Sequence, residues 1–225
     1  MEGAYFVIGD GYAVYQGAVA EGSFHRHAAF QVAIGVHGEV VMDDEDGNRF
    51  SDAALVVPPM VGHRLLPVRE LRTLYVEPHC AFADRLRVVC GRGITPAPGM
   101  RGLREEDVAG GRLSGELDGR LLDAMRVLMD ERIPMTALAA RVGLSPQRLR
   151  ALARAELGMP LARWRIWRRL ARSAEALREG RTLSGAALAG GFADQAHFTR
   201  EMRRMMGLTP AEVVRALGRQ ARRAV

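Results

Sequence analysis

The second half of the chain repeats itself, and no other feature restricts its fold as tightly. Leu138-Ala139-Ala140-Arg141-Val142-Gly143-Leu144-Ser145 aligns with Ala186-Ala187-Leu188-Ala189-Gly190-Gly191-Phe192-Ala193. Each copy places a small residue, three intervening residues, a glycine and a large apolar residue in the same order. After one extra residue in the second copy, Gly158-Met159-Pro160 lines up with Gly207-Leu208-Thr209. Ala139 and Ala187 allow two helices to cross closely, and Gly143 and Gly191 suit a left-handed turn between them. Ser145-Pro146 supplies an N-cap and first helical residue, and Asp194 can cap its counterpart. From Asp118 onward the apolar spacing is helical, as in Leu121, Leu122, Met125, Leu128 and Met129. Stops are expected at Gly143, Gly158, Gly180, Gly191 and Gly207. The pattern predicts an all-α domain of two helix-turn-helix units joined by a long helix over Leu161–Arg178.

Charge separates this half from the first. All 32 basic residues are Arg. Residues 1–118 carry 11 Arg against 17 Asp and Glu, whereas residues 119–225 carry 21 Arg against 9 acids. A basic half joined to an acidic one points to a polyanion as partner of the basic half. No uncharged apolar run is long enough for a membrane-spanning helix, and the opening Met1-Glu2-Gly3-Ala4-Tyr5-Phe6 does not read as a signal peptide. Cys80 and Cys90 alone make neither a disulfide scaffold nor a four-cysteine zinc site, so reduced thiols and a cytoplasmic location are expected.

The helical half resembles the AraC/XylS transcription regulators, whose DNA-binding domain carries two helix-turn-helix units. The best-matching stretch is Gly191-Phe192-Ala193-Asp194-Gln195-Ala196-His197-Phe198-Thr199-Arg200, followed by Gly207-Leu208-Thr209-Pro210, and the likeness spans roughly residues 118–215. Ala153 departs from it, since the family usually has Phe there. The resemblance implies double-stranded DNA as partner and gives Gln147, Arg150 and Ala151 of the first recognition helix a base-reading role. Arg148 and Arg154 also point outward on that helix. Gln195, Ala196, His197 and Arg200 are the equivalents on the second, with Arg203 and Arg204 directed to phosphates. Gln suits adenine and Arg suits guanine. On the joining helix, Trp164, Trp167, Leu170, Ala174 and Leu177 form an apolar stripe, and Arg163, Arg165, Arg168, Arg169 and Arg172 are assigned to phosphates. The family uses this helix to hold its reading heads about one DNA turn, ~34 Å, apart.

The first ninety residues read as short strands: Tyr5–Ile8, Tyr12–Tyr15, Val32–Val36, Val40–Met42, Ala54–Val57 and Leu74–Val76, with a hairpin turn at Asp43–Asn48. Within them, His25, His27, Gln31 and Gly38, then Pro58 and His63, resemble the cupin signature H-x-H-x₃-E-x₆-G…P-x₄-H. The fold class expected is therefore α+β in two domains. Residues 1–90 form a small antiparallel cupin-like β-barrel, 91–117 a linker rich in Gly and Pro, and 118–225 the double helix-turn-helix domain. His25, His27, Gln31 and His63 are candidate ligand-binding residues for a small-molecule effector. His25, His27 and His63 are also candidate metal ligands for Zn²⁺, Mn²⁺, Fe²⁺ or Ni²⁺. Gln31 stands where the signature has Glu, replacing an anionic ligand by a weak neutral one. His37 and His79 are expected at the surface. The helix near 82–90 either caps the barrel or pairs two subunits.

A sequence-specific transcription regulator with a ligand-sensing domain is the reading these features support, with RNA polymerase and a second copy of the chain as further candidate partners and no membrane. No catalytic set is legible and no cofactor is certain. The alternative is a metal-dependent cupin enzyme, or a metal sensor, fused to a DNA-binding domain.

Overall fold

The computed structural model describes residues 5–19 and 22–214. Met1–Ala4 and the stretch 215–225 of the expected helical domain lie outside the described residues. The chain begins with β1 (Tyr5–Gly9), β2 (Tyr12–Val19), β3 (Phe30–Gly35), β4 (Val40–Asp44), β5 (Arg49–Asp52), β6 (Ala54–Val57), β7 (His63–Leu65) and β8 (Val68–Val76). After helix α1 (Ala81–Val89) come β9 (Thr95–Pro96), a 3₁₀ turn at Pro98–Met100 and the short α2 (Glu105–Val108). All strand pairings are antiparallel, in a six-stranded sheet ordered β1-β2-β8-β3-β6-β9 and a three-stranded sheet ordered β5-β4-β7.

The pleat sorts the large sheet's side chains onto two buried faces. Ala33, Leu55, Val57 and Leu71 meet Val40, Met42 and Leu65 of the small sheet in one core. Val14, Val32, Ile34, Val56, Leu74 and Val76 face the other way, against Phe82, Ala83 and Leu86 of α1 and Val108 of α2. Burial on both faces explains why β3 and β6 are apolar almost throughout. Helix α1 therefore caps the sheet: Leu86 of its stripe is fully buried and is not available to a second subunit.

Residues 91–117, expected as a linker, are built onto this domain. Strand β9 extends the large sheet through β6, and Ile94, Ala97 and Val108 are buried. The segment's end is fastened by Asp84, which accepts from Ser114 Oγ at 2.6 Å and from Gly115 N at 2.9 Å.

The helical half comprises α3 (Gly119–Asp130), α4 (Met135–Arg141), α5 (Pro146–Leu157), α6 (Leu161–Arg178), α7 (Leu183–Ala189) and α8 (Gln195–Met206). The long joining helix has the limits its sequence spacing predicts. Ser145 Oγ accepts from Arg148 N, and the Asp194 carboxylate accepts from His197 N, so both recognition helices begin at their expected caps. Gly143 and Gly191 turn the chain with φ of +67° and +73°, a region that disfavours residues bearing a Cβ. Ala139 and Ala187 are fully or almost fully buried at the crossings.

One core crosses the boundary between the halves. Phe6 and Tyr75 from the strands and Ala28 and Ala29 from the bend before β3 belong to the same buried cluster as Trp164, Trp167, Leu170, Phe198, Met202 and Met205. The crevice between them, lined by residues such as Ile8, Tyr15, Tyr75, Trp167 and Met206, leaves about 40 Å³ unfilled. The strand and helix domains are closely docked.

Candidate functional site

The two recognition helices, α5 and α8, present arginine and amide side chains on their outer faces. Leu149, Leu152, Ala153 and Leu157 bury the inner face of α5, while Phe198, Met202 and Met205 bury that of α8. This leaves Gln147, Arg148, Arg150, Ala151 and Arg154 exposed on α5, and Gln195, Ala196, Arg200 and Arg203 exposed on α8. His197 is half-buried, its ring edge-to-face with Phe192 at 5.3 Å. Arg148, Arg150, Arg154, Arg200 and Arg203 have no ion-pair partner among the described residues. Unpaired guanidinium groups on two solvent-facing helices are open to phosphates and base edges.

The arginines of α6 divide differently from the sequence expectation. Arg169 is not free for a phosphate: its Nε donates to Gly190 O at 3.0 Å, its terminal nitrogen donates to Gly191 O, and its guanidinium stacks 4.2 Å from the Phe192 ring centroid. It satisfies the carbonyls left over where α7 ends and the turn begins. Arg172 donates to Met129 O at 3.2 Å. Arg168 crosses to the strand domain and pairs with Glu77 at 2.8 Å. Arg163 and Arg204 instead line a cleft of about 240 Å³ between the domains, with Phe24, His25, Arg26 and Met60.

Glu77, which carried no sequence signal, is a polar anchor of the docking. It is 4% exposed and accepts from Trp164 Nε1 at 2.9 Å as well as from Arg168. His79, expected at the surface, is buried beside it, with Nδ1 3.5 Å from the Glu77 carboxylate and its ring edge-on to Trp164. Burial lowers the His79 pKa from its ordinary value, against the pull of Glu77. The Glu77-Pro78-His79 step lies where β8 leaves the sheet, and the docked helix α6 packs over Glu77 and His79 through Trp164 and Arg168. His37 is exposed, as expected.

The cupin-like pattern does bring its histidines together. His25 and His63 face each other across a bridge between their backbones, and the ligand-bearing atoms of His25, His27 and His63 all lie within 4.8 Å of one another. All three residues are buried. Gln31 is buried on β3 with its side chain directed at His27. Burial holds His63 down to about 3; it also lowers His25 and, aided by the two neighbouring imidazoles, puts His27 well below the ordinary value. The cluster is therefore neutral near pH 7.

Its hydrogen bonds fix how the rings carry their protons. His25 Nδ1 meets Ser23 O at 2.7 Å, His27 Nδ1 meets Met205 O at 2.5 Å, and His63 Nδ1 meets Val61 O at 3.0 Å. A carbonyl oxygen only accepts, so each Nδ1 bears the hydrogen and each neutral ring keeps its lone pair on Nε2. The Nε2 atoms of His25 and His27 are 3.0 Å apart, and His63 Nε2 is buried without a partner. Three imidazoles oriented through Nδ1 with Nε2 free is the arrangement histidine ligands adopt around a transition metal. The residues fit such an ion. An N–metal distance of about 2.1 Å sets tetrahedral donors about 3.4 Å apart, so the His25 and His27 Nε2 atoms at 3.0 Å would open slightly while the wider separations of the cluster, up to 4.8 Å, would draw in. One of the three orienting carbonyls, Met205 O, belongs to the second recognition helix.

Comparison with known proteins supports both halves. Residues 138–216 match the family described as "Helix-turn-helix domain". No curated protein matches the chain. Among solved structures, ToxT from Vibrio cholerae O395 superposes with a TM-score of 0.60 at 9% identity, covering 93% of this chain and 99% of that one. Apo ToxT K231A from V. cholerae strain SCE256 gives 0.62 at 10% identity, covering 93% and 98%. Wild-type ToxT of that strain with an unsaturated fatty acid bound gives 0.59 at 8% identity, covering 90% and 94%. At these identities the likeness establishes a shared two-domain fold.

Proposed function

We propose that the chain is a transcription regulator of the AraC type, which reads double-stranded DNA with α5 and α8 and responds to a small molecule held by its cupin-like domain. The observation that carries this reading is the contrast among arginines. Those of α6 that face protein are committed to Glu77 and to backbone carbonyls, whereas those on the outer faces of α5 and α8 are unpaired. Positive groups left without internal partners on two recognition helices support phosphate and base contacts.

The effector enters the cleft between the domains, where Arg163 and Arg204 from the helical half face His25, Met60 and the Arg26–Glu45 ion pair from the strand half. Two arginines without internal partners suit an anionic molecule. A ligand there touches both domains, so it binds the docked and undocked arrangements unequally, which is the requirement for changing DNA affinity. Among the described residues no helix is long and apolar enough to cross a membrane. We place the protein in the cytoplasm with its DNA, and RNA polymerase and a second copy of the chain are the partners such a regulator would use. The enzyme alternative has less support, because the end of α8 packs onto the histidines, with Met205 O bonded to His27 Nδ1.

Selection of bound sites from randomised DNA tests the reading. Two half-motifs about one helical turn apart, ~34 Å, are expected. Absence of enrichment would overturn the assignment.

A further inference from the structure

The histidine cluster and the second recognition helix are one assembly. Helix α8 ends against the cluster, where Met205 O takes the His27 Nδ1 hydrogen. Gly207, the left-handed residue that closes α8 at φ +67°, lies so near His25 that a Cβ there would be 2.7 Å from Nδ1. Arg26 N also donates to Arg204 O at 3.4 Å, beside the same turn.

Resting on the regulator reading above, we propose that a divalent transition-metal ion, held by Nε2 of His25, His27 and His63, clamps the C-terminal end of α8 to the sensor domain, so that metal occupancy governs how the second reading helix is held. Three arguments converge. The Nδ1 hydrogens of His25 and His27 are both committed to carbonyls, which leaves their Nε2 atoms facing each other at 3.0 Å as acceptors, and His63 Nε2 is buried without a partner. A nitrogen-rich set selects Zn²⁺, Ni²⁺, Co²⁺ or Cu²⁺ over Mg²⁺ and Ca²⁺. A cation also sits favourably at a helix C-terminus, where the carbonyl dipoles point, and a metal-bound imidazole donates more strongly through Nδ1, here to Met205 O. The ion therefore favours the docked position of α8 over any position in which that hydrogen bond is broken.

The test uses the full chain with Zn²⁺ or Ni²⁺ alone as probe and compares two glycine variants. Gly158 closes α5 in the same left-handed conformation, at φ +70°, but a Cβ there meets only Pro59 O at 3.9 Å. Gly207→Ala and Gly158→Ala thus carry the same backbone strain, and only the first presses on His25. The expected result is one ion per chain, lost in His63→Ala, with affinity lowered roughly ten- to a hundredfold by Gly207→Ala and unchanged by Gly158→Ala. Hydrogen exchange at the end of α8 should slow by roughly tenfold on adding the ion, with α5 unchanged. No ion bound, equal effects of the two glycine variants, or binding that leaves α8 exchange unaltered would each overturn the clamp. Acid-dependent protection of α8 without metal would assign the cluster to a shared proton instead. Site selection from DNA run with chelator keeps the two readings apart, since half-motifs recovered there would support the regulator even if the clamp failed.

Discussion

Arg200 and Arg203 illustrate how much a single position decides in a chain whose cations are all arginine. Both are exposed on α8, three residues apart, yet Arg200 lies nearer the N-terminal end, which on the regulator reading enters a groove, and Arg203 lies in the last turn. Arg200→Ala is expected to cost about 1–3 kcal/mol and to relax preference at one base pair, whereas Arg203→Ala should weaken specific and random DNA alike and lower the salt dependence of binding. Binding isotherms on the selected site and on a scrambled one, each at several salt concentrations, check both; equal losses for Arg200→Ala would make it a phosphate contact. Apart from His197, which is half-buried against Phe192, sequence spacing placed the outward-facing residues of α5 and α8 correctly, because helical periodicity decides which way they point. It misplaced Arg169 and His79, whose surroundings come from elements distant in sequence.

At the scale of elements, the caps and turns were written locally, and the sheets were not. Ser145, Asp194, Gly143 and Gly191 act through their own backbones and immediate neighbours. Strands β5, β7 and the first part of β8 contain charged residues that obscure their alternation, and β9 is two residues inside a Gly- and Pro-rich segment. Only pairing reveals them. The three-stranded sheet is joined by Asp43 of β4, which accepts from Arg49 of β5 at 2.8 Å and from Arg64 of β7 at 2.9 Å. Hydrogen bonding to Arg49, reinforced by Arg64, lowers its carboxyl from 3.8 to about 2. A carboxylate depressed on folding stabilises the fold fully above its unfolded value and loses that contribution as pH falls through its folded value. Acid titration of stability should therefore show a loss between about pH 3.8 and about 2 that is absent from Asp43→Asn, which will itself be less stable than the parent at pH 7.

For the whole molecule, the decisive feature is that the halves share a core and a buried ion pair. Both tryptophans of the chain, Trp164 and Trp167, lie in that interface. Glu77→Ala removes the acceptor of Trp164 and leaves Arg168 buried without its partner, a loss of about 3 kcal/mol for a pair of this kind. Urea denaturation followed by tryptophan emission should show that loss as a red shift that precedes unfolding of the sheets seen by circular dichroism. Coincident transitions, with the same midpoint as the parent, would show that Glu77 does not anchor the docking.

The sequence by itself determined the double helix-turn-helix, the limits of its joining helix, the faces its recognition helices present and the histidines that gather, because each depends on periodicity, capping or a short motif. The tertiary structure decided which arginines remain free, that the supposed linker is part of the sensor domain, and that the histidine cluster shares a hydrogen bond with the second recognition helix. Those outcomes require residues far apart in the chain to meet, as His27 meets Met205 and Glu77 meets Arg168, and hydrophobic burial between whole domains, not local spacing, brings them together.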